Sequence, residues 1–96
     1  MRSMYIVSYD ISDPKRLRQV FKAMQGMGDH VQLSVFRCEL SARDKVRMMA
    51  KLTKLIHHKE DQILIIDIGL APGRSDQAVE AIGRSYAVKE RTAIVV

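Results

Sequence analysis

One cysteine, no tryptophan, two prolines, two phenylalanines and three tyrosines leave this 96-residue chain few of the usual structural staples. The lone Cys38 excludes an intramolecular disulfide and suits a reducing compartment. In a strand it reads as a small buried hydrophobe. Cys38, His30, His57 and His58 have no zinc spacing, and adjacent histidines on a helix point in different directions. No apolar run approaches the ~20 residues of a membrane span, and no signal-peptide pattern is present. The expectation is a cytoplasmic protein without membrane attachment. A glycine-rich phosphate loop and a Gly-x-Ser-x-Gly elbow are also missing, so neither of those site types is expected.

What the chain does carry is apolar residues, at 47%, and positive charge, at +5. The first is enough for a folded core, and the length fits one domain over residues 1–96. A domain this small gains by burying a second face in a partner copy. The basic balance favours anionic partners such as nucleic acid.

Residues 4–18 organise the rest. Residues 4–9 are rich in β-formers, and Asp10 stands where the strand should stop. Asp13-Pro14 then reads as a helix start, with Asp13 as N-cap and Pro14 at the first helical position. The first helix is expected over about 14–27, with Leu17, Val20, Phe21, Met24 and Met27 at helical spacing and Lys15, Arg18 and Lys22 opposite. Residues 30–40 read as strand, but the apolar phase slips from Val31, Leu33 and Val35 to Phe36, Cys38 and Leu40. Such a slip predicts a bulge, bend or tight hairpin near residues 34–37, in one bent strand or two. Ser41-x-x-Asp44 opens a second helix to about His57, expected to bury Val46, Met49, Leu52, Leu55 and Ile56. Arg47, Lys51 and Lys54 form a basic stripe on it, which fits a solvated face as well as a phosphate-contacting one. Residues 62–68 are nearly all apolar, as in a strand covered on both faces. A loop over 70–75 follows. Residues 76–83 suit a helix by propensity, and residues 93–96 end the chain in an uncharged, β-prone run.

Tyr9-Asp10-Ile11, the Lys15-Arg16-Leu17-Arg18 run, the stretch Val31 to Phe36, and Val79-Glu80-Ala81-Ile82-Gly83-Arg84 resemble the CRISPR-associated Cas-two family. The resemblance implies an α+β, ferredoxin-like βαββαβ sandwich with an additional C-terminal strand, assembled as a homodimer. Under it residues 30–40 supply two strands, residues 76–83 become a strand, and the C-terminal run pairs with the partner subunit. It also implies a magnesium-dependent endonuclease of single-stranded RNA or double-stranded DNA that works in spacer acquisition. The metal would sit between two copies of Asp10, since Mg²⁺ accepts one or two carboxylates and keeps several waters. Asp10 and Tyr9 would be catalytic, Arg16 and Arg18 would clamp phosphate, and Phe36 would pack at the interface or against a base. Arg37 departs from the family pattern, which often has an acid there.

Two rival readings stand beside this one. In the first, the protein is a non-catalytic scaffold that bridges dimers of the Cas-one integrase, with Arg47, Lys51 and Lys54 as its DNA contacts. In the second it is a VapD-type ribonuclease toxin. An RNA-binding module of the RRM sort ranks last, because Tyr5, Tyr9, Phe21, Phe36 and Tyr86 show no paired stacking motif.

Overall fold

In the computed structural model, which describes residues 1–70 and 79–84, six elements follow one another. They are β1 (Ser3–Asp10), α1 (Pro14–Gln25), β2 (Asp29–Gln32), β3 (Val35–Leu40), α2 (Ala42–Leu55) and β4 (Gln62–Leu70). The strands form one antiparallel sheet in the order β2-β3-β1-β4, which is the ferredoxin-like βαββαβ arrangement.

The central strand is built by alternation. Tyr5, Val7 and Tyr9 of β1 are buried on the face that meets the helices, while Ile6 and Ser8 on the other face are half-buried. Phe36, Cys38 and Leu40 extend that inner face across β3, and Ile63 and Ile65 extend it across β4. Val20, Ala23 and Met24 from α1 and Met48 and Leu52 from α2 close the core over it.

Both helix starts are local chemistry. The Asp13 carboxylate accepts from the Arg16 N–H at 2.9 Å, and Pro14 sits where no N–H is needed. The Ser41 hydroxyl accepts from the Asp44 N–H at 3.1 Å. After α1 the chain passes so close to β3 that a side chain on Gly28 would lie 2.5 Å from Cys38 Sγ and 2.6 Å from the Arg37 carbonyl. A glycine there lets the first helix return straight into the sheet.

The tight hairpin expected near residues 34–37 is present, turning at Leu33–Ser34 and dividing the stretch into the two strands the resemblance implied, whereas three other expectations are corrected. Leu33 takes a positive φ of 28° with its side chain 89% exposed, and His30 Nε2 donates to its carbonyl at 2.7 Å. On α2 the buried stripe is Met48 and Leu52, with Leu55 and Ile56 packed at its edge. Val46 and Met49 are exposed, because the helix is turned to present the neighbouring stripe. Strand β4 runs at the edge of the sheet to Leu70, where the loop was expected to begin, and Leu64 and Ile66 are exposed where cover on both faces was expected. Residues 79–84, the described part of the late strand motif, form no strand. Ile82 is fully exposed and Gly83 turns at φ 97°. A strand needs a neighbouring backbone for its N–H and C=O groups, and among the described residues no strand pairs with 79–84. The expected loop beyond Leu70 and the C-terminal run at 93–96 lie outside the described residues.

Candidate functional site

The end of β1 delivers the candidate residues. Asp10 is its last position, exposed, and paired in register with Gln62 at the start of β4. Alternation separates it from its neighbour. Tyr9 lies on the helix side, 5% exposed, while Asp10 falls in the register of Ile6 and Ser8 on the open face. Burial pushes the Tyr9 hydroxyl above its ordinary pKa, so it is a neutral donor at physiological pH. The structure therefore does not bring Tyr9 and Asp10 to one point within a chain.

Phe36 is a correction. It has no exposed surface and is enclosed by Tyr9 (ring centroids 6.3 Å apart), Phe21 (5.6 Å) and His30 (4.9 Å). Stacking on a base or a partner needs an open ring face, which Phe36 lacks. Arg37, the departure from the family pattern, is also buried, and its guanidinium lies 3.5 Å from Asp29 across the β2–β3 pair.

Arg16 is committed within the chain. Its Nε donates to Asp61 Oδ2 at 2.8 Å, and its Nη2 donates to Asp61 Oδ1 at 3.3 Å, Glu60 Oε1 at 3.1 Å and Ser12 Oγ at 3.3 Å. Asp61 is the hub of this cluster. Its side chain has no exposed surface, and it also accepts from the Ser12 N–H at 3.0 Å and the His57 N–H at 2.8 Å. The hydrogen bond from Arg16, with those from the two backbone groups, holds the Asp61 carboxyl well below the usual carboxylate range against the opposing effect of desolvation. The same bond pushes the Arg16 pKa further up. Residues 45 and 49 positions apart are thus tied together, and the turn that carries the chain from Asp10 into α1 is fixed to the start of β4. Sequence reasoning missed Asp61 and Glu60. The available signal was a pair of acids directly before the apolar run of β4.

Arg18, two residues on and so turned to the other side of α1, is exposed, and among the described residues it has no ion-pair partner. With Lys22 it lines a groove of about 530 Å³ whose apolar wall is Tyr9, Leu17, Phe21 and Leu33. Arg47, Lys51 and Lys54 are exposed along α2, on a face the core does not use.

The donor set for a divalent ion is thin in one chain. No group of three or more His, Cys, Asp or Glu side chains is clustered among the described residues. Asp61 is saturated by its donors. Asp67, the other strand acid, is in register with Tyr5, about 17 Å along β1 from Asp10 by strand rise, and accepts from the Gly69 N–H at 2.9 Å. Asp10 is left as one exposed carboxylate without an ion-pair partner among the described residues. Magnesium takes one or two carboxylates and keeps several waters, so Asp10 fits as one ligand, and a copy facing it from a second chain would supply another.

The described helices include none long and apolar enough to cross a membrane. Compared with known proteins, the chain matches the family model of the CRISPR associated protein Cas2 over residues 1–71. It is 46% identical over 92 residues to CRISPR-associated endoribonuclease Cas2 1 of Rhodospirillum rubrum, covering 96% of this chain and 89% of that one. It is 40% identical to CRISPR-associated endoribonuclease Cas2 of Geobacter sulfurreducens over the full length of both. The crystal structure of Streptococcus pyogenes Cas2 superposes with a TM-score of 0.72 at 34% identity, over 83% of this chain and 99% of that one. The family match thus spans the whole four-stranded sheet and both helices, and on that ground the chain belongs to the CRISPR-associated Cas2 family.

Proposed function

We propose that the protein is a CRISPR-associated endonuclease that acts as a homodimer, with magnesium held between two Asp10 carboxylates. The observation that carries this is the exposed Asp10 at the end of the central strand, without an ion-pair partner among the described residues, while Asp61 is saturated and Asp67 remote. The names of the relatives, endoribonucleases, support single-stranded RNA as substrate, and double-stranded DNA is the alternative. Two such carboxylates facing across a two-fold axis repel, and a divalent cation relieves that repulsion. When bound, magnesium supplies Lewis-acid polarisation of a phosphodiester and lowers the pKa of a coordinated water. The chain's own residues bind and orient the strand. Arg18 and Lys22 hold phosphates beside the groove, and the buried Tyr9 hydroxyl, kept protonated, donates a hydrogen bond at the groove wall. The exposed Leu64 and Ile66 of β4 support dimerisation through the open face of the sheet.

A second reading has its own support. The exposed stripe of Arg47, Lys51 and Lys54 suits a scaffold that holds spacer DNA and bridges Cas-one integrase dimers, with Asp10 dispensable. Asp10→Asn separates the two. Under the nuclease reading, cleavage of labelled RNA by the purified mutant is lost while binding persists. Magnesium then raises the melting temperature of the original protein and leaves the mutant's unchanged. Equal magnesium shifts in the two proteins would remove Asp10 as the ligand.

A further inference from the structure

Arg16 holds two carboxylates of different standing. Asp61 has no exposed side-chain surface, takes Nε at 2.8 Å, and is itself fixed by Ser12 and His57. Glu60 reaches Nη2 from the solvent side at 3.1 Å, with 58% of its side chain exposed. Its other hydrogen bond, from Ser12 Oγ, is 3.5 Å long, at the limit for such a bond. A guanidinium presents its N–H groups in a planar fork that suits carboxylate and phosphate oxygens alike. Nη1 has no partner among the described residues, so a phosphate that binds end-on through Nη1 and Nη2 takes the Nη2 donor from Glu60 and leaves Nε on Asp61.

We infer that Glu60 stands where a nucleic-acid phosphate binds Arg16. The substrate displaces it, and Asp61 is the positioning residue that keeps the guanidinium in place through the exchange. The inference rests on the reading that the chain binds nucleic acid, and it names the internal competitor at that site. An exposed ion pair such as Arg16–Glu60 is weak, so a strand anchored by further contacts at Arg18 displaces it readily. An isolated phosphate has no such anchors. The exchange therefore favours polyanions over single anions, and it reconciles the commitment of Arg16 within the chain with a role in binding.

The test measures anisotropy of a fluorescein-labelled oligouridylate, with a duplex DNA probe in parallel, at fixed salt. Glu60→Gln is expected to tighten binding about three- to fivefold. Glu60→Asp keeps the charge but is one methylene too short to hold Nη2, and it is expected to tighten binding nearly as much. In an Arg16→Lys background, where charge against the buried Asp61 is kept but the fork is gone, Glu60→Gln is expected to lose most of its effect. Thermal melts establish that each variant is folded. If Arg16→Lys does not fold, the charge-conserving Glu60→Asp still decides. No tightening with Glu60→Asp, or the same tightening by Glu60→Gln with and without the guanidinium, would mean that Glu60 acts only through the general field and would overturn the inference. Failure of the original protein to bind either probe would overturn the functional reading, and the inference with it.

Discussion

At Asp61 a carboxylate without exposed surface accepts hydrogen bonds from Arg16, Ser12 and His57, which keep it ionised far into acid. A folded-state pKa held below the unfolded value stabilises the fold at every pH above the unfolded value, about 3.9 for Asp. That contribution fades as pH falls from there through the folded value. Asp61→Asn is therefore expected to lower the melting temperature at pH 7, with the gap to the original protein narrowing below about pH 4. Melts across pH 2 to 8 check this, and a gap that stays constant into acid would mean that the charge is not what the site uses. At the same scale, Arg16 and Arg18 look alike in sequence, yet one closes a structural clamp and the other stands open beside the groove.

The second helix shows what periodicity leaves undecided. Val46, Met49 and Ile56 recur at helical spacing, and so do Met48, Leu52 and Leu55, so two overlapping apolar stripes compete for the core. The sheet takes the second, and Met48 is fully buried. That choice leaves Arg47, Lys51 and Lys54 in solvent, where a phosphate backbone can reach them. If all three contact phosphates, changing them together to Gln reduces the slope of log affinity against log salt by about 0.9 per contact on duplex DNA. A salt titration reads this directly, and an unchanged slope would make the stripe an ordinary solvated face.

For the whole molecule, the sheet has one face filled by two helices and another on which Leu64 and Ile66 remain exposed. A basic chain of this size with an apolar sheet edge is suited to self-association. Ile66→Glu puts a charge into the middle of that edge, and it is expected to raise the dimer dissociation constant roughly tenfold or more. Sedimentation equilibrium checks it, with a melt to establish folding. An unchanged dimer would move the interface elsewhere, for instance to the residues around Ile82 and Gly83, which form no strand within the single chain.

The amino-acid sequence by itself determined what depends on near neighbours. Asp13 with Pro14, and Ser41 with Asp44, set both helix starts through bonds spanning three residues. It also placed Asp10 at a strand end. The tertiary structure decided what depends on partners far along the chain. Asp61 finds Arg16 only because β4 pairs beside β1, and Phe36 loses its open face only because Tyr9, Phe21 and His30 converge on it. Residues 79–84 are given strand only by the family resemblance, and they form none here. Caps and strand ends are written in adjacent residues, whereas burial and ion pairing are properties of the surfaces that the fold brings together.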